Sequence, residues 1–167
     1  MCAAAALTAC SSEQASGPGA RRADSGWGEG PRTPGSATPG QPEERWDLAE
    51  QLRRLQPATK RSRSEHVGGD LDGEVLASRA SGYPLRGPKS VAATGSTIVE
   101  RLFGTEGADP VAYFVMVKRP PGYDAAGGDW EYLVVLPNGS VEARGKLPLC
   151  ARCHAEAPHD RLFGGGQ

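Results

Sequence analysis

The chain has 167 residues and a formal net charge of −1. This length allows one domain, or one domain with a tail. The near-neutral charge excludes strong electrostatic attraction to nucleic acid or to anionic lipid. The sequence has no run of about 20 apolar residues and therefore predicts no transmembrane helix. Large apolar residues are concentrated in the second half, which predicts a folded domain over residues 45–167.

The first ten residues are similar to the end of a bacterial secretory signal. Their last four, Leu7-Thr8-Ala9-Cys10, resemble a lipobox, in which small residues precede a cysteine that becomes lipidated. We therefore predict a truncated lipoprotein signal over 1–10 and lipidation at Cys10. The domain would then lie on the periplasmic side of the bacterial cell envelope. The alternative is an alanine-rich tail whose cysteines have no function.

Residues 11–44 are rich in glycine, proline and serine and poor in large apolar residues. Such a segment buries too little apolar surface to offset the entropy lost on ordering. We predict a disordered linker here, which would hold the domain away from the membrane. The lipid would then be the only membrane contact.

The remaining pattern predicts one helix followed by strands. Apolar residues spaced by three and four predict a helix over 43–56, which Pro57 ends. Further along, β-forming residues alternate between turn signals, and Pro137-Asn138-Gly139-Ser140 is typical of a hairpin turn. Predicted strands cover 74–77, 95–103, 111–118, 129–136 and 141–144. This order predicts an α+β fold, predominantly an antiparallel β-sheet with a few helices.

The run Cys150-Ala151-Arg152-Cys153-His154 matches the attachment signature of c-type haem. Two thiols on one short helical turn can add to the two vinyl groups of haem. The adjacent histidine is then placed to bind the iron. The run predicts one covalently bound haem c, attached by both cysteines, with His154 as the metal ligand.

Three other interpretations of the two cysteines fit less well. A thioredoxin-like redox pair belongs at an early strand-to-helix junction, whereas this pair lies near the C-terminus. A zinc site needs a second pair of ligands, and only His66 and His159 are available, at no usual spacing. A disulfide across two residues would leave His154 without a role.

Several segments around the haem motif resemble the cytochrome P460 family, which includes the cytochromes c′-beta. The matching stretches are Gly-Ser-Thr-Ile-Val-Glu at 95–100, Met-Val-Lys at 116–118, Gly-Tyr-Asp at 122–124, Gly-Asp-Trp at 128–130, Leu-Cys-Ala-Arg-Cys-His at 149–154 and Asp-Arg-Leu-Phe at 160–163. The similarity covers about residues 74–164, and the order and spacing of the stretches make it more specific than the haem motif alone.

The resemblance implies a mostly antiparallel β fold that often forms a homodimer. It also implies a five-coordinate haem with His154 as proximal ligand and an open distal face. Some members oxidise hydroxylamine with nitric oxide, and others bind small gases such as nitric oxide. We therefore expect a cytochrome used for nitric oxide binding or for electron transfer to a redox partner that the sequence does not identify.

Two departures from the family argue against the enzymatic alternative, oxidation of hydroxylamine or nitric oxide. The hydroxylamine-oxidising members have a lysine cross-linked to the haem ring where this chain has Glu100. They have a carboxylate at the position that matches Phe114. A carboxylate cannot supply the cross-linking amine, and a phenyl ring cannot transfer a proton.

Strand alternation predicts which side chains face the haem. It places Ile98 and Glu100 on one face of their strand and Phe114 and Met116 on one face of the next. We predict an apolar distal pocket in which Phe114 and Met116 contact the cofactor and Glu100 lies near the edge. The alternatives are that Phe114 and Met116 are ordinary core residues, or that Met116 is a sixth iron ligand.

For five further residues we predict either a structural role or no role. We expect Glu100 to pair with Lys118 across neighbouring strands. Trp130 and Tyr132 are predicted to be core aromatics, His159 to lie at the surface, and His66 to lie in a polar loop without a role.

Overall fold

The computed structural model of the protein describes residues 44–85, 87 and 89–164. The predicted signal at 1–10, including Cys10, and the predicted linker up to residue 43 lie outside the described residues. Within the described ranges, no helix is both long and apolar enough to cross a membrane.

The described part of the chain forms one antiparallel sheet with two short α-helices. Its strands are β1 (Gln56–Pro57), β2 (Ser62–Arg63), β3 (Asp72–Ala77), β4 (Thr97–Phe103), β5 (Pro110–Lys118), β6 (Trp130–Val135) and β7 (Val141–Gly145), and its helices are α1 (Leu48–Arg53) and α2 (Pro148–His154). The sheet order is β1-β3-β4-β5-β6-β7, and β2 also pairs with β3. This confirms the predicted α+β class with a predominantly antiparallel sheet.

The first helix is shorter than the predicted range 43–56. The side chain of Asp47 caps α1 by accepting a hydrogen bond from the Glu50 backbone N–H at 3.0 Å. Before this cap, the backbone N–H of Trp46 donates to the carbonyl of Gly139 at 2.9 Å, in the turn between β6 and β7. Helix α1 begins later than predicted, because the backbone that precedes it is hydrogen-bonded to that turn.

The sheet buries a different apolar cluster on each face. On the α1 face, helix α1 packs against a cluster that contains Val99, Val115 and Leu133. On the α2 face, the cluster contains Ile98, Met116, Trp130 and Tyr132, and residues of α2 pack against it. Since side chains alternate along a strand, neighbouring residues such as Ile98 and Val99 belong to opposite clusters.

Strand register aligns the residues of the α2 face in rows. Ile98 lies opposite Met116, which in turn lies opposite Tyr132. In the next row along β4 and β5, Glu100 lies opposite Phe114. These two rows form the floor beneath α2.

The prediction that Glu100 pairs with Lys118 is wrong. Because Glu100 lies opposite Phe114, Lys118 is four residues further along β5, which separates their backbones by about 13 Å. The Lys118 ammonium instead binds both carboxylate oxygens of Asp160, at 2.6 and 2.7 Å, and both side chains are buried.

Asp160 joins the C-terminal segment to the sheet. Its side chain also accepts a hydrogen bond from the backbone N–H of Ala92 at 2.8 Å, and its carbonyl accepts one from the Trp130 indole at 2.8 Å. Asp160 and Arg161 have φ values of 44° and 64°, a region that costs energy for residues with a side chain. The Asp160 contacts hold the chain in this conformation and thereby fix the direction of the Arg161 carbonyl.

Candidate functional site

A cavity of about 720 Å³ lies between the α2 face of the sheet and helix α2. All six residues predicted to contact the haem line it: Cys150, Cys153, His154, Phe114, Met116 and Glu100. The wall also contains His66, Tyr83, Tyr132, Leu162 and Phe163, which the sequence did not assign to a site. The fold therefore brings these residues from seven separate segments around one space.

Helix α2 places the three residues of the haem motif along one side. Pro148 occupies the first turn, where the missing N–H costs no helical hydrogen bond. Residues at positions i, i+3 and i+4 of a helix share a face, which groups Cys150, Cys153 and His154. Both thiols are free, with Cys150 half-buried and Cys153 exposed. Burial raises the pKa of the Cys150 thiol, and the neighbouring Cys153 adds to this effect.

The imidazole of His154 is held in one orientation. Its Nδ1 lies 2.7 Å from the carbonyl oxygen of Arg161. Since a carbonyl only accepts, Nδ1 must carry the proton, which leaves Nε2 of the neutral ring with its lone pair. Burial lowers the pKa of His154, and the bond to Arg161 opposes this only in part. The ring is thus preset as a neutral nitrogen donor.

Aromatic side chains surround His154. The rings of Tyr132 and Phe163 each lie 5.5 Å from the His154 ring, measured between centroids. The Tyr132 hydroxyl is buried in the cavity wall and has no hydrogen-bond partner among the described residues. Burial raises the pKa of Tyr132 to about 12. An unpaired buried hydroxyl lowers the stability of the fold.

His66 and Glu100 form a second polar group in the cavity. Nδ1 of His66 lies 2.5 Å from a carboxylate oxygen of Glu100. Ser64 supports the pair, since its hydroxyl accepts a hydrogen bond from the His66 backbone N–H at 3.1 Å. Gly73 on β3 leaves room for the Glu100 carboxylate, because a Cβ at residue 73 would overlap it.

The charge on Glu100 is stabilised inside the site. Burial alone would raise the pKa of this carboxyl, but hydrogen bonds from His66 and Ser64, together with the charge of His66, lower it below its ordinary value. The cavity is therefore less apolar than predicted. The sequence analysis assigned no role to His66. The sequence carries little signal for such a role, because His66 reaches Glu100 only when the segment after β2 folds over β3.

Three further residues were predicted to have only structural positions: Trp130, Tyr132 and His159. Trp130 and Tyr132 are buried in the α2-face cluster, as predicted for core aromatics. His159 is half-buried rather than at the surface, because its backbone pairs with that of Leu162, and it does not line the cavity. Among the described residues, no group of three or more His, Cys, Asp or Glu side chains could hold a metal ion. Haem iron needs only one or two ligands from the protein, because its macrocycle supplies the others.

Neither family models nor curated proteins identify a relative of the chain. No protein-family model matches the chain, and a search of curated proteins finds no match. The resemblance to the cytochrome P460 family therefore stays a prediction that rests on the sequence motifs.

Proposed function

We propose that residues 45–167 form a c-type haem domain of the cytochrome P460 kind. The thiols of Cys150 and Cys153 would hold the haem through carbon–sulfur bonds to its two vinyl groups, with each thiol proton passing to the neighbouring vinyl carbon. His154 would bind the iron through Nε2. The observation that carries the proposal is the placement of these three groups on one side of α2, at the wall of the cavity.

Two features of the site fit this cofactor. The cavity volume of about 720 Å³ falls within the usual range for cofactor sites, about 300–1,000 Å³. Histidines that bind metals commonly donate their other ring N–H to a carbonyl or carboxylate, as His154 does to Arg161.

The proposed role is binding of a small gas such as nitric oxide, or electron transfer, in the cell envelope. When bound, haem supplies an iron that can take up a neutral diatomic molecule or carry one electron. Phe114 and Met116 contribute apolar surface that excludes water from part of the cavity. A periplasmic location, with Cys10 as lipid anchor, agrees with attachment of c-type haem outside the cytoplasm.

A second candidate is an enzyme that oxidises hydroxylamine or nitric oxide. One observation favours it: the Glu100 carboxylate, bonded to His66 inside the cavity, could accept a proton from a substrate. Glu100 still occupies the position of the cross-linking lysine. We therefore place gas binding or electron transfer first.

The two functions are separated by adding nitric oxide and hydroxylamine to the haem-loaded protein. We expect nitric oxide to change the optical spectrum, and hydroxylamine to give no reduction of an electron-accepting dye. Steady dye reduction that Glu100→Gln abolishes, together with a strongly red-shifted Soret band in the reduced protein, would establish the enzyme instead.

A further inference from the structure

The rings of His66 and His154 face the same space from different segments of the chain. Their centroids are 6.1 Å apart and their planes differ by 28°. His66 lies in the short 3-10 segment after β2, whereas His154 ends α2. Both residues line the cavity proposed to hold the haem.

Each of these imidazoles has one nitrogen engaged and the other available. Nδ1 of His154 donates to a carbonyl, and Nδ1 of His66 lies 2.5 Å from the carboxylate of Glu100. A carboxylate oxygen accepts hydrogen bonds, so Nδ1 of His66 carries the proton of this contact. In the neutral form, each of the two rings therefore has Nε2 as its donor atom.

The separation of the two rings suits two ligands of one metal ion. Metal–imidazole bonds are about 2.0 Å long and each nitrogen lies slightly over 1 Å from its ring centre, so rings on opposite sides of one ion have centroids roughly 6 Å apart. The observed 6.1 Å matches this value.

The surroundings of His66 are those of a metal-binding histidine. A carboxylate that accepts the second ring N–H fixes the tautomer and raises the basicity of the ligating nitrogen. Glu100 takes this part, and the side chain of Glu100 is itself only 17 % exposed. Gly73 provides the space that lets the carboxylate reach His66.

We infer that His66 is the second protein ligand of the iron, opposite His154. This inference rests on the proposed haem site, and it replaces the five-coordinate iron implied by the family resemblance with a six-coordinate one. A gas would then bind only after displacing His66, and electron transfer would need no ligand exchange. Glu100 is a positioning residue that orients His66.

The test compares spin state and carbon monoxide binding in the full chain loaded with haem. The wild-type protein is expected to be low-spin in both oxidation states, and His66→Ala high-spin, with added imidazole restoring the low-spin spectrum. If the site opens in about 1–10 % of molecules, removing His66 raises the apparent carbon monoxide affinity about tenfold or more. His159→Ala serves as the control and should remain low-spin, since His159 does not line the cavity.

The outcomes separate the inference from the proposed function. A chain that acquires no haem overturns both. Attached haem that is high-spin in the wild-type protein overturns the ligand role of His66 but not the proposed haem attachment. This measurement uses the wild-type protein alone and does not depend on the folding of a variant. A low-spin spectrum that survives His66→Ala but is lost in Met116→Leu would assign the ligand to Met116 instead.

Discussion

Replacement of Lys118 with methionine is expected to lower the free energy of unfolding by about 3–5 kcal/mol. The Lys118 ammonium and the Asp160 carboxylate are 8 % and 7 % exposed and form a close, doubly bonded pair. Removing the ammonium leaves a buried carboxylate without its countercharge. Because Asp160 also fixes the segment that carries the Arg161 carbonyl, the orientation of His154 should loosen as well.

Urea unfolding of the haem-free chain measures this loss. The exposed Lys60 provides the control, and Lys60→Met should change stability by less than about 0.5 kcal/mol. The double variant Lys118→Met/Asp160→Asn should recover part of the loss, because it removes the stranded charge. A loss below about 1 kcal/mol for Lys118→Met would show that the pair does not hold the C-terminal segment.

His154→Ala has the largest expected effect on the proposed cofactor. The thiols of Cys150 and Cys153 remain, so haem should still become attached, but the iron loses the nitrogen that α2 provides. We expect a changed optical spectrum, which added imidazole returns toward that of the wild-type protein. Arg152→Ala is the matched control, since Arg152 is exposed on the same helix. A His154→Ala spectrum identical to that of the wild-type protein would remove His154 from the role of iron ligand.

The main strands could be predicted because their residues carry a strong local pattern. Alternating β-branched and aromatic residues at 111–118 identified most of β5, and the Pro137–Ser140 turn joined the last two strands. The same alternation placed Phe114 and Met116 on the face that lines the cavity. Long, regularly spaced apolar patterns specify both the strand and its buried face.

Short elements could not be predicted from local pattern. Strands β1 and β2 have two residues each, which is too few to show any period. Their strand conformation comes from pairing with β3, which is a tertiary contact.

The candidate site divides in the same way. Cys150, Cys153 and His154 are contiguous in sequence, so a local motif predicts them. His66 and Glu100 are 34 residues apart, and Lys118 and Asp160 are 42 residues apart. No local sequence pattern predicts that the members of these pairs are in contact. Their contacts depend on strand register and on the path of the C-terminal segment.

The central claim is that Cys150 and Cys153 bind haem covalently. The direct test is the mass of the denatured full chain after expression with the c-type haem maturation machinery, measured beside the variant Cys150→Ser/Cys153→Ser. We expect the wild-type mass to exceed that of the polypeptide by one haem, and the variant to show no increase. A wild-type chain with the mass of the polypeptide alone, or an unchanged increase in the variant, would contradict it.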